Sequence, residues 1–115
     1  MANFSKAVAG GARTELHDKL GLTGAEISIN ELPAGAGVPF VHSHRQNEEI
    51  YGILAGKGRA VMGGGEGGSG AGDGVGGATA VKREVSAAAD SGMKYGCIQV
   101  KQNSLEGDTA DDAVM

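Results

Sequence analysis

His42, His44 and Glu49 fall within eight residues of one another in the segment FVHSHRQNEEIYGILAGKG, Phe40 to Gly58. Histidines one residue apart in an extended chain leave the same face, about 6 to 7 Å apart at the backbone. The four residues between His44 and Glu49 let the chain turn and return a carboxylate beside the imidazoles. Two neutral imidazoles and one carboxylate make a three-ligand face with open positions, a donor set suited to divalent iron, manganese, nickel or zinc. The open positions would take a water, a substrate oxygen or dioxygen. Glu48 is the neighbouring acid and replaces Glu49 in this set if the strand begins one residue early. In a strand, Tyr51 shares a face with Glu49, where its hydroxyl is placed to hydrogen-bond a ligand.

The elements that must position these groups are short and extended. AEISINEL alternates Ile27, Ile29 and Glu31 against Glu26, Ser28 and Asn30, a strand pattern that Pro33, Gly35 and Gly37 then break. VPFVHSH is extended, with Phe40, His42 and His44 on one face, and RQNE turns the chain. EIYGILAG is a strand carrying Glu49, Tyr51 and Ile53 on one side. AGKG reads as a hairpin turn before a new strand at RAVM. MKYGCIQVK alternates Met93, Tyr95, Cys97 and Gln99 against Lys94, Gly96, Ile98 and Val100. TELHDKLGLTG holds one short helical turn, with Thr14 as its cap and Leu16 and Leu20 on one face. Short strands separated by turn signals, with almost no helix, predict a small all-β sandwich or barrel.

Residues 63–77, GGGEGGSGAGDGVGG, contain ten glycines in fifteen positions. A glycine inside a strand costs about 0.5 to 1 kcal/mol relative to alanine, so ten would cost roughly 5 to 10, against a typical domain stability of about 5 to 15. On composition alone this is a flexible linker. The strand before it and the AGD turn within it favour a hairpin stripped of its side chains, through engineering or incomplete assignment, and such a chain would have no working site. GxGxxG spacings arise here from glycine density without a following helix, and a dinucleotide site is not expected.

With these residues in place, HSHRQNEEIYGILAG resembles the first motif of the cupins: HxH, three or four residues, Glu, six residues, Gly. His42, His44, Glu49 and Gly56 stand at those positions. The second cupin motif, G, five residues, PxG, two residues, H, three residues, N, has its counterpart from Gly72, where Ala78, Ala80, Arg83 and Ala87 replace Pro, Gly, His and Asn. The resemblance covers roughly Ile27 to Lys101. It implies a small antiparallel barrel (a double-stranded β-helix or jelly roll), an interior site, and dimerisation through sheet contacts or strand exchange. It also implies His42, His44 and Glu49 as metal ligands, with Arg83 in the place of a fourth ligand. Arginine carries a lasting positive charge. Beside the site it would repel a divalent cation, pair with Glu49, or hold a substrate carboxylate or phosphate in its fork. Arg83 and Tyr51 are therefore the expected substrate contacts.

The 115 residues are expected to form a single domain, with a barrel core at about 25–101, a polar N-terminal arm at 1–24 and an acidic tail at 102–115. The net charge of −4 gives no basic face for nucleic acid. No apolar run approaches the roughly 18 to 20 residues of a spanning helix. Residues 1–19 show no secretory pattern and the single Cys97 has no disulfide partner, so a cytoplasmic location is expected. Cys97 is expected to pack inside as a small hydrophobe. Two functional classes remain: a metal-dependent enzyme of dioxygenase, isomerase or decarboxylase type acting on a small oxygenated metabolite, and a metal-free module that binds a small anion.

Overall fold

The computed structural model describes residues 5–37, 45–62, 65–79 and 82–107, with Asp112 and Val114. His42 and His44, and the extended segment expected around them, lie outside the described residues. Among the described residues, seven strands and one short helix follow in the order β1 (Arg13–Glu15), α1 (His17–Leu20), β2 (Ala25–Leu32), β3 (Asn47–Met62), β4 (Gly65–Gly70), β5 (Gly74–Gly77), β6 (Arg83–Ala87) and β7 (Met93–Lys101). All named pairings are antiparallel, and the chain forms the small all-β barrel that the strand pattern predicts.

β3 organises the barrel. Its first half pairs with β7 on one side and β5 on the other, while its second half pairs with β4 and β6. β7 continues to β2, and β2 to β1. Here the structure corrects the sequence reading: Ala55–Gly58 is a sharp bend within one sixteen-residue strand, where a hairpin turn was expected. The pairing with β7 slips between Ile53 and Ala55, a bulge of the kind that bends strands and lets them pass from one sheet to the next. Gly56 has φ 75°, and a Cβ there would sit 1.9 Å from the Gly92 carbonyl oxygen; at Gly58 it would sit 2.2 Å from that of Ser86. Only glycine permits so close a crossing.

The glycine-rich region does form strands. β4 and β5 flank a turn in which the Asp73 backbone N–H donates to the Gly70 carbonyl, Gly72 takes φ 94°, and the Asp73 carboxylate accepts from the Gly70 N–H at 2.8 Å. A positive φ at the third residue is what a type II turn requires. Their ladders with β3 supply the order that composition alone does not.

Period-two alternation sets the interior. Glu49, Tyr51 and Ile53 of β3, Arg83, Val85 and Ala87 of β6, and Met93, Tyr95 and Cys97 of β7 are all buried. On β2 the buried side chains are Ser28 and Asn30, while Ile27 and Ile29 lie half-buried on the outer face. Thr14 is a buried strand residue bonded to Gly10, and Leu16 takes the helix cap without a side-chain bond; the expected Thr14 cap is not formed.

Candidate functional site

The inner face of the barrel carries a polar cluster at its Glu49 end. β3 begins at Asn47, so Glu49 is an early inward residue, and β6 opens on Arg83 with the same inward phase. The Arg83 guanidinium crosses the interior: Nη1 lies 3.4 Å from Glu49 Oε1, and Nη2 donates to the Ala78 carbonyl oxygen at 2.6 Å. Arg83 is 0% exposed and Glu49 2%. Tyr51, two residues along the same face, donates its hydroxyl to the same Oε1. Tyr95 packs edge-on against Tyr51, ring centroids 5.8 Å apart, and closes the cluster from below. The expected sharing of a face by Glu49 and Tyr51, and the pairing of Arg83 with Glu49, are both present.

Cys97 stands opposite Tyr51 in the β3–β7 register and opposite Ser28 in the β2–β7 register, buried with both. Burial and the negative charge of Glu49 push its thiol from an ordinary value of 9.0 up to about 12, so it stays neutral. Burial, and then the bond to Glu49, likewise hold the Tyr51 phenol well above its usual range; burial and Cys97 do the same for Tyr95. Ser28 accepts from Asn30 Nδ2 at 2.9 Å, and Asn30 Oδ1 accepts from Arg13 Nη1 at 3.0 Å. A line of polar side chains thus runs from Ser28 inside the barrel to Arg13 on the β1 edge. The sequence alternation contained Ser28 and Asn30 but gave no sign that the polar side faced inward. The Ala78 carbonyl, being backbone, left no signal at all.

A chain similar to this one over its whole length has been solved. At 59% identity, and with a TM-score of 0.93, a cupin protein from Bacteroides fragilis matches over 100% of this chain and 98% of its own. Two more distant structures share the fold. A Cupin 2 conserved barrel domain protein from Salinispora arenicola is 20% identical over 70% of this chain and 66% of its own, TM-score 0.62. A DMSP lyase from Ruegeria pomeroyi is 25% identical over 74% of this chain and 46% of its own, TM-score 0.61. No family model and no curated protein matches the chain.

Of the expected metal ligands the described residues include Glu49, and among them no group of three His, Cys, Asp or Glu is gathered as a metal would require. The fit can be judged at Glu49. A divalent ion on this carboxylate would share it with a guanidinium. At an effective dielectric constant near 20, a double and a single charge about 4 Å apart repel by roughly 8 kcal/mol. The tightest structural zinc sites, with four ligands, are worth about 10 to 16. Arg83 therefore weighs against a divalent ion at Glu49, by an amount comparable with, though smaller than, what such sites yield. A cavity of about 640 Å³ borders the cluster, with Glu49 and Ala78 among its lining residues. It runs along the outer side of β3 and β7 at Ile50, Ile98 and Val100, beneath Asn103, Ser104 and Leu105.

Proposed function

This chain belongs to the cupin family, and on that footing we propose that its barrel is an interior binding site for a small oxygenated or anionic metabolite. Glu49 is its centre, and Tyr51 and Arg83 are the contacts. The supporting observation is the burial of a carboxylate, a phenol and a guanidinium together where apolar packing was available. Buried ion pairs are commonly no more stabilising than apolar residues of like volume, and such clusters concentrate at functional sites. An incoming carboxylate would compete with Glu49 for the Arg83 fork, and an incoming hydroxyl would accept from or donate to Tyr51. The proposal stops at binding, because the fold hosts several chemistries and selects none. The metal-dependent reading through His42, His44 and Glu49 is the competing one, and the Arg83–Glu49 contact weighs against it.

A native-state ligand raises the melting temperature. Melting curves in oxalate, malate, gluconate and inorganic phosphate, run on wild type and Glu49→Gln, test the reading. It is supported if one anion protects wild type and its effect changes in the variant. It fails if none protects, or if both proteins respond alike.

A homodimer belongs to the same proposal. Ile27, Ile98 and Ile50 stand side by side on the outer face of the β2–β7–β3 sheet, and Ile50 is 48% exposed. An apolar row of this kind gains from being covered. No helix among the described residues is long and apolar enough to cross a membrane.

A further inference from the structure

We infer that Arg83 is the resident cation of this barrel: its guanidinium balances Glu49 from within the chain and thereby excludes a divalent metal ion. The inference uses the same Glu49–Arg83 pair as the functional reading and does not depend on which anion binds.

The placement of Arg83 carries it. The side chain is wholly buried, and it is tethered at both ends of its fork: Nη2 to the Ala78 carbonyl, Nη1 to Glu49. The backbone of β6 is anchored in turn, because Arg83 is the first residue of a strand that pairs with β3 through Met62. A guanidinium fixed in this way cannot swing to solvent when a metal approaches without giving up both the 2.6 Å bond to Ala78 and its place beside Glu49. Tyr51 acts in the same direction. It donates a hydrogen bond to Glu49 and so satisfies a lone pair that a metal would need. Two groups of the chain thus perform the charge balancing and hydrogen bonding that a bound cation would otherwise perform at this carboxylate.

Neutralising Arg83 should then uncover a cation site, while keeping its charge should not. Titration with Co²⁺, followed by calorimetry and visible absorption, tests this on five proteins: wild type, Arg83→Gln, Arg83→Lys, Glu49→Gln and Arg83→Gln/Glu49→Gln. Arg83→Gln is expected to bind Co²⁺ at least about a hundredfold more tightly than wild type, equivalent to roughly 2.7 kcal/mol. Arg83→Lys should stay close to wild type, and the double variant should lose the gain. Stoichiometric Co²⁺ binding by wild type that disappears in Glu49→Gln overturns the inference. So does a gain in Arg83→Gln that survives in the double variant. Should Arg83→Gln fail to fold, the wild-type and Glu49→Gln titrations still decide, since Glu49-dependent binding by wild type contradicts an excluded metal and its absence agrees. Failure of the anion reading would show separately, as no protection by the four anions with the Co²⁺ results unchanged.

Discussion

Arg83 Nη1 stands 3.4 Å from Glu49 Oε1 with both side chains shut off from solvent. Charge-assisted hydrogen bonds usually run at about 2.7 to 2.9 Å, so this is an ion pair held by its surroundings more than by its own geometry. Removing the guanidinium leaves a carboxylate in the interior without its countercharge. Arg83→Met is expected to lose about 3 to 5 kcal/mol of stability, measured by urea denaturation. Glu49→Gln/Arg83→Met should lose less than the two single variants summed, with a coupling of about 0.5 to 3 kcal/mol. Strict additivity would show that the two groups do not interact.

Cys97 and the two tyrosines set a pH dependence. The folded thiol holds its proton up to about 12, where an unfolded one would release it near 9.0. The unfolded chain therefore binds fewer protons in that window, and stability falls as pH rises through it; below 9.0 the contribution is fully present. Tyr51 and Tyr95, whose ionisation is also pushed up, act with the same sign. Chemical denaturation at pH 8 and at pH about 10 should show this loss, and Cys97→Ser should reduce it. Native Cys97 should also resist iodoacetamide until the protein unfolds.

The glycines divide into two kinds. A Cβ at Gly74 or Gly76 of β5 meets nothing within 4 Å, and neither has positive φ. Gly76→Val, opposite Ile50, should gain about 0.5 to 1 kcal/mol. Gly56→Ala should lose at least about 1 to 3 kcal/mol, through its positive φ and the contact with Gly92. Thermal melts of the two variants would refute the assignment if their shifts had the same sign.

Coverage of the outer isoleucine row predicts a dimer that Ile98→Glu disrupts. Sedimentation equilibrium of wild type and variant checks this, and a wild type that stays monomeric across the concentration range contradicts it.

The sequence made the inward sets of β3 and β7 legible, because Glu49, Tyr51 and Ile53, and Met93, Tyr95 and Cys97, alternate cleanly with outward residues. The burial of Cys97 followed from its place in that alternation. β2 misled for the opposite reason. Its apolar residues, Ile27 and Ile29, lie half-buried on the outer face, and its polar ones, Ser28 and Asn30, are buried inside, with Asn30 bonded to Arg13 of β1. The bend at Gly56 looked like a hairpin turn because local glycine chemistry is the same in both. What separates them is the approach of Gly92 and Ser86, more than twenty residues away. Arg83 was legible as a departure from the second motif, yet its tether to the Ala78 carbonyl could be seen only in three dimensions.

The most direct test of an interior anion site is calorimetric titration of oxalate, malate, gluconate and inorganic phosphate into wild type, Tyr51→Phe and Arg83→Lys. The account predicts saturable binding of at least one of these by wild type, weakened about tenfold or more in Arg83→Lys because lysine offers a point charge in place of a fork. No binding by wild type, or binding that both variants leave unchanged, would contradict it.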